Sequence, residues 1–333
     1  MTGDDLRRAI LTPPDPPHPL IQDFLFYPSV FLLTGEPGKG KTVIASQLAC
    51  CLTSQTPLFG TLTIHQPCAV FYCQLEGSLS EQLEHLRLME TVCPIATDRL
   101  YWYDGGTRPL NVQDATSWQP VVRQMEAFFA SQPPTVHRVV TLDPIYKALV
   151  TDLAKAEAAL ALIHFSDLLL HQLRASVLLI HHPHRERHDA RGKPIKEEDA
   201  YYGHSFLRNH VDTAYVFRAL DAEGETGELV STKLRGQHSL KRLILQYHPE
   251  TYTCSMEPVP SEESKEMAIR SYLEVVARNG KQTDFYQVKA ICQASPRTVR
   301  AVQAKLVAEH LLSVHPMTGK RWIWVPKVPG VQP

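Results

Sequence analysis

The sequence predicts an α/β fold with a mostly parallel central sheet, followed by a small C-terminal domain of helices and a hairpin. Three observations predict it. Residues 28–49 read as strand, glycine-rich loop and helix: an apolar Val30 to Leu33, then Gly35, Gly38, Gly40, Lys41 and Thr42, then apolar residues at helical spacing. Further short apolar runs, Cys68 to Glu76, Val136 to Asp143 and Ser176 to Ile180, alternate with stretches of helical period, as strands covered by helices do. From residue 261 the charge changes sign: residues 261–333 hold 11 Lys and Arg against 6 Asp and Glu, in a chain of net charge −1.

At 333 residues, 44% of them hydrophobic, the chain can bury one large core and a second small one. Its seven cysteines are an odd number, scattered at 50, 51, 68, 73, 93, 254 and 292, with no C-x-x-C pair. That argues for a reducing compartment and against a disulfide framework or a structural zinc site. The N-terminus lacks the apolar core of a signal peptide and no run approaches membrane-spanning length, so a soluble, cytoplasmic protein without a membrane partner is expected.

The elements follow in order. Residues 1–19 hold a short helix-compatible stretch and then Pro13, Pro14, Pro16, Pro17 and Pro19, which read as an arm that packs on a neighbouring subunit or as a disordered leader. The spacing Gly35-x-x-x-x-Gly40-Lys41-Thr42 is the Walker A pattern, in which backbone N–H groups cradle phosphate oxygens. Gly35, Glu36, Pro37, Gly38, Lys39, Gly40, Lys41, Thr42 and Val43 are therefore the expected nucleotide contacts. Lys41 would reach the β- and γ-phosphates of ATP, and the Thr42 hydroxyl would ligate Mg²⁺. Glu76 follows the strand from Cys68 and either helps to cap the helix starting at Ser78 or Ser80, or orients the attacking water. We take the second, because no better-placed carboxylate occurs.

Arg99 to Tyr103 reads as a strand and Ser117 to Ser131 as a helix with Val121, Val122, Met125, Phe128 and Phe129 on its apolar face. Val136 to Asp143 is a strand ending in the acid expected to hold Mg²⁺. Lys155 to Leu173 is a long helix, and Ser176 to Ile180 a strand running into His181-His182-Pro183-His184. With no carboxylate or thiol at ligand spacing, these histidines read as sensors of the γ-phosphate, His181 or His182, and not as a metal site. Residues 185–202 read as a long exposed loop. Arg185, Arg187, Arg191 and Lys193 there face a DNA backbone in a channel or are simply solvated. Val211 to Ala219, Glu228 to Leu234 and Lys241 to Tyr247 are strands, with Tyr252 to Met256 as a last edge. Lys233 and Arg235, one residue apart at a strand end, project to the same side. They are a surface pair, or they reach a neighbour's triphosphate.

Together these residues resemble RecA-type hexameric helicases, most closely the plasmid RepA-like group, P-loop ATPases of the AAA_25 kind. The likeness covers roughly residues 20–257, a RecA-like ATPase core. An AAA+ chain would normally carry its catalytic Glu beside the Walker B Asp, where Pro144 stands here. The resemblance implies that Glu76 activates water, that Asp143 helps to hold Mg²⁺ and that Lys233 and Arg235 act in trans. It also implies a homo-oligomer, commonly a hexameric ring, moving along single-stranded DNA. Residues 203–212 resemble the family's Gly-Ser-Ser stretch loosely, with His204 in place of the first Ser.

Beyond a linker at 258–264, residues 265–327 look like a winged helix, with 328–333 as a tail. Glu263 to Arg278 and Phe285 to Ala294 suit helices, and Ser295-Pro296 opens a third, to about Glu309. Leu311 to His315 and Arg321 to Val325 flank a hairpin turn. Arg297, Arg300, Lys305, Lys320 and Arg321 are its candidate contacts, to duplex DNA or to a replication protein. The expected function is an ATP-hydrolysing replicative motor. Its rivals are a recombination mediator that hydrolyses ATP on DNA without unwinding it, and a nucleotide-switched DNA-binding regulator.

Overall fold

Buried strands that run parallel must be apolar on both faces, and the strands carrying the sequence motifs are. The computed structural model of the protein describes residues 2, 18–182, 204–220, 225–235, 240–257, 269–270, 272–273, 283–284, 288, 296–308, 312–314 and 321–324. They belong to two compact units, Met1–Glu257 and Pro258–Pro333.

The first unit opens with a hairpin, β1 (His18–Ile21) and β2 (Leu25–Tyr27). Strand pairing thus begins at His18, inside the stretch read from its prolines as an arm; residues 1 and 3–17 of that arm lie outside the described residues. β3 (Val30–Gly35) leads through the loop into α1 (Lys41–Ser54). Then come β4 (Cys68–Gln74), α2 (Leu79–Met89), β5 (Leu100–Asp104), α3 (Ala115–Ala130) and β6 (His137–Asp143). A 3-10 turn Ile145–Ala148, α4 (Ala156–His171), β7 (Ala175–His181), α5 (Ser205–His210) and β8 (Thr213–Ala219) follow. β9 (Thr226–Leu234), β10 (Arg242–His248) and β11 (Thr253–Glu257) close the unit.

Nine of these strands form one sheet in the order β11-β10-β9-β8-β3-β7-β6-β4-β5. β8, β3, β7, β6, β4 and β5 are parallel, and the last three strands of the unit are added antiparallel beyond β8. Burial follows the two-residue period of a strand. Phe31, Leu33, Tyr72, Leu178 and Ile180 enter one core with α1, α2 and the β1–β2 hairpin. Val30, Leu32, Phe71, Cys73, Val177 and Leu179 enter the other with α3, α4 and Leu207 of α5. The result is three layers, helix on sheet on helix.

Two local expectations change. The apolar stripe expected on α1 is an almost fully buried helix from Val43 to Thr53, packed in one core with the sheet, β11 and residues of the β1–β2 hairpin. Its one long polar side chain, Gln47, gives Nε2–H to the Cys254 carbonyl at 2.8 Å and accepts the Cys254 N–H at 2.7 Å, so burial leaves neither end of this amide unpaired. The strand read through Glu76 ends at Gln74, after which the Leu75 N–H crosses to the Asp143 carbonyl at 2.7 Å. Glu76 therefore stands beyond the ladder. The six described cysteines are buried free thiols. Among the described residues no helix is long and apolar enough to cross a membrane.

In the second unit the strands β12 (Thr283–Asp284), β13 (Leu312–Val314) and β14 (Arg321–Trp324) form an antiparallel sheet in the order β12-β14-β13. Before β13 runs α6 (Pro296–Ala308), which buries Val299, Val302 and Leu306 and exposes Arg297, Arg300 and Lys305. Residues 269–270 and 272–273 and residue 288 are helical; the rest of the two helices expected before Ser295 lies outside the described residues.

Candidate nucleotide site

Sheet order and register bring the C-terminal ends of β3, β7, β6 and β4 side by side, with Thr34 opposite His181, Leu142 opposite Leu179 and Gln74 opposite Asp143. Open α/β sheets gather ligands at such strand ends. Here the glycine-rich loop, both histidines, Asp143 and Glu76 meet, although 35 to 182 spans most of the parallel half in sequence.

β3 ends on Gly35, where a Cβ would lie 2.3 Å from the Phe217 carbonyl oxygen, so only glycine lets β3 and β8 run this close. The loop then turns through Gly40 at φ 96, which stands at the N-cap of α1 with no side chain capping it. The first N–H groups of α1 are thereby left to an anion. Glu36, Pro37 and Gly38 are exposed, Lys39, Gly40 and Thr42 are half-buried, and Val43 is buried.

Lys41 is buried, and its ammonium donates to the Glu36 carbonyl at 2.6 Å. Burial pulls its pKa down to about 8, against the pull of the Asp143, Glu36 and Glu76 carboxylates. A desolvated cation with a single neutral acceptor gains strongly from an incoming phosphate. Asp143 is buried at the end of β6 and its carboxyl is pushed up to about 6, by burial first, while the Tyr72 and Thr42 hydroxyls and Lys41 pull it back. The Tyr72 hydroxyl donates to Asp143 Oδ2 at 2.5 Å. Oδ1 is buried and has no hydrogen-bond partner among the described residues. One oriented carboxylate oxygen beside the Thr42 hydroxyl suits a hard cation such as Mg²⁺. Among the described residues no cluster of three or more His, Cys, Asp or Glu could hold a metal, so such a cation needs the oxygens of a nucleotide as well.

Glu76 is exposed and lines the cavity mouth. It does not cap α2: Ser78 does, its hydroxyl accepting the Glu81 N–H at 3.2 Å. The Glu76 carboxylate instead lies against Tyr146, whose hydroxyl is held above its ordinary pKa by burial and by that carboxylate. His181 and His182 both line a cavity of about 800 Å³ with Pro37, Thr42, Glu76 and Tyr146. A smaller cavity of about 260 Å³ adjoins the loop, lined by Lys41, Thr42, Glu76, Asp143 and His182 among others. His182 is common to both. Burial and the nearby Lys41 charge lower its pKa to about 4, and its Nδ1 is buried without a hydrogen-bond partner among the described residues. Its ring stands edge-on to Tyr146 at 5.6 Å.

Lys233 and Arg235 are not at this site. In register with β8, Lys233 lies opposite Ala214 and Leu234 opposite Thr213, whereas Gly35 of the loop lies opposite Phe217 at the other end of that strand. Both cations are engaged at the end of α5. Lys233 Nζ donates to the carbonyls of Arg208 and Asn209, and Arg235 Nη2 to the Asn209 carbonyl at 2.6 Å, with Asp212 at 3.3 Å from Nη1. His204 caps the start of α5, its Nδ1 accepting the Phe206 N–H at 3.1 Å. Of the candidate DNA contacts, Arg297, Arg300 and Lys305 are exposed on α6, and Arg321 begins β14. Arg185, Arg187, Arg191, Lys193 and Lys320 lie outside the described residues.

Sequence reading missed Tyr72, Gln74, Trp102 and Tyr146. Polar-tipped Tyr72 and Gln74 inside a fully buried strand were a usable signal, since such groups need partners. Nothing local marked Tyr146 or Trp102.

The fold and these residues define a P-loop nucleotide-binding domain with a RecA-like sheet. The AAA_25 family model, described as an AAA domain, matches residues 2–188, more than half of the chain, and the chain belongs to that family. A solved structure described as a DnaB-like replicative helicase and its interactions with primase matches at 13% identity and a TM-score of 0.51, over 76% of this chain. This chain spans 66% of that one's length, just under two thirds, and at this identity the likeness is one of fold. No curated protein matches.

Proposed function

We propose that this chain is an ATP-hydrolysing DNA motor of the RecA type, a ring-forming replicative helicase of plasmid or phage kind acting on single-stranded DNA in the cytoplasm. The observation that carries the reading is the convergence of Lys41, Thr42, Glu76, Asp143 and His182 around one cavity, with an oxygen of Asp143 left unpaired among the described residues. In this reading residues 35–42 cradle the phosphates, and Lys41 exchanges the Glu36 carbonyl for β- and γ-phosphate oxygens. Thr42 and, through water, Asp143 would hold Mg²⁺, which would supply positive charge against the transferred phosphoryl group. Glu76 takes the proton of the attacking water at its carboxylate. His182, neutral at pH 7, donates its ring N–H to the γ-phosphate, with His181 lining the same cavity.

Lys233 and Arg235 face the opposite end of the sheet from their own pocket, so they serve the triphosphate of an adjacent subunit. The solved structure of similar fold is described as a replicative helicase that interacts with primase, which supports the helicase reading by analogy of fold. The second unit, read as a winged helix through α6 and the β13–β14 hairpin, recruits the motor to duplex DNA or to a replication protein. The test is ATP hydrolysis with and without single-stranded DNA, with particle mass followed as nucleotide is added. Stimulation by DNA together with a ring-sized particle supports the motor. A monomer whose hydrolysis ignores DNA overturns it in favour of a nucleotide-switched regulator.

A further inference from the structure

Two buried side chains hold the acidic half of the site in place, and one residue on the last strand of the sheet touches both. β5 is the edge strand beside β4, with Trp102 opposite Tyr72 and Asp104 opposite Gln74. Tyr72 and Gln74, two residues apart, face the same side of the sheet. The indole of Trp102 lies flat on the Tyr72 ring, centroids 4.0 Å apart and planes within 5°. Its Nε1–H donates to Gln74 Oε1 at 2.7 Å. From there two arms diverge. Gln74 Nε2–H donates to the backbone carbonyl of Glu76 at 3.0 Å, and the Tyr72 hydroxyl donates to Asp143 Oδ2 at 2.5 Å.

The chemistry of each link is directional. An amide side chain has one acceptor oxygen and one donor nitrogen. Fixing the oxygen on the indole N–H turns the nitrogen toward Glu76, so the carbonyl just outside the ladder acquires a set position. Gln74 and Tyr72 are buried, and a buried amide that loses its partner costs more than the bond was worth in water. Stacking against Trp102 fixes the ring plane of Tyr72, and with it the hydroxyl that occupies one oxygen of Asp143 and leaves the other free. We infer that Trp102 is a positioning residue that sets both acidic groups of the site, Glu76 through Gln74 and Asp143 through Tyr72. The inference rests on the reading of Glu76 as the base and Asp143 as the metal carboxylate.

The test uses the full chain and ATP turnover with Mg²⁺. Trp102→Phe keeps a ring on Tyr72 and removes the N–H; Gln74→Glu keeps an acceptor for the indole and removes the donor to Glu76. Each should lower kcat about 10-fold with KM for ATP within about twofold, as for one buried hydrogen bond that acts on geometry. The double variant should be no slower than the slower single one, because both break the same arm. Tyr72→Phe keeps the stacked ring and removes the hydroxyl bond to Asp143 Oδ2, and should likewise lower kcat with KM for ATP within about twofold. Effects that multiply to about 100-fold in the double variant, or a kcat unchanged in both singles, overturn the proposal. If Trp102→Phe fails to fold, Gln74→Glu alone decides by the same kcat criterion. Glu76→Gln separates the two readings: full activity there sinks the base assignment, while a dead Glu76→Gln with normal Trp102→Phe and Gln74→Glu sinks only the positioning role.

Discussion

The two ends of the parallel sheet treat their charged groups differently. At the C-terminal ends of β3, β6 and β7, among the described residues, Lys41 has a single neutral acceptor, Asp143 an unpaired oxygen and His182 an unpaired nitrogen. At the opposite end Lys233 and Arg235 are paired with the Arg208 and Asn209 carbonyls and with Asp212. The first end gives up stability to hold groups ready for a triphosphate. The second is satisfied within the subunit, so a role on a neighbour's nucleotide requires those bonds to be exchanged. Substitutions at the two ends should therefore move activity and stability in different combinations.

The largest effect is expected at the loop. Lys41→Ala should lower hydrolysis by at least about 100-fold and weaken nucleotide binding, with little change in the melting temperature of the nucleotide-free protein. A large loss of stability would contradict the picture of a strained, waiting ammonium. Asp143→Asn comes next. It should abolish Mg²⁺-dependent turnover and yet stabilise the nucleotide-free protein at pH 7 by about 1–3 kcal/mol, because burial holds this carboxyl near pH 6, above its usual 3.8. A group whose folded pKa is raised adds stability that is complete below its unfolded pKa and lost as pH rises through the folded one. Denaturant midpoints of the wild type should thus approach those of Asp143→Asn between pH 7 and pH 4.

At the other end, Arg235→Ala should stop turnover while nucleotide affinity, measured by fluorescent-analogue titration, stays within about twofold. Its cost to stability should be about 1 kcal/mol or less, since the side chain is 54% exposed. Loss of nucleotide binding would argue against a role in trans. Smallest of all, Arg297→Ala and Arg300→Ala on α6 should leave stability within about 0.5 kcal/mol. If α6 meets DNA, each should reduce the slope of log affinity against log salt by about 1; an unchanged slope assigns the second unit to a protein partner.

The same division runs through what could be read in advance. The loop end was legible because its requirements are consecutive: a strand, glycines at fixed spacing, Lys41, Thr42 and a helix. The acid at the end of β6 and the histidines where β7 ends were legible because a strand's apolar run marks where it stops. Glu76 was placed after the strand from Cys68, and the structure shows that Ser78, not Glu76, caps the next helix; its role toward water is a proposal. The cations at 233 and 235 could be paired by period two, yet nothing in their neighbourhood revealed α5 as the element they grip. Tyr72, Trp102 and Gln74 lie on adjacent strands, and their contacts depend on β5 pairing with β4 in that register.

By itself, then, the sequence determined the local chemistry: a phosphate loop from Gly35 to Thr42, strands buried on both faces and a charge shift after residue 260. Each follows from backbone sterics or side-chain periodicity within a dozen residues. The tertiary structure decided which strand ends became neighbours, which oxygen of Asp143 was left free, and which end of the sheet Lys233 and Arg235 occupy. Those outcomes depend on strand order and register. Crossover connections and the burial of whole faces set these across contacts as distant in sequence as Gln47 and Cys254, 207 residues apart.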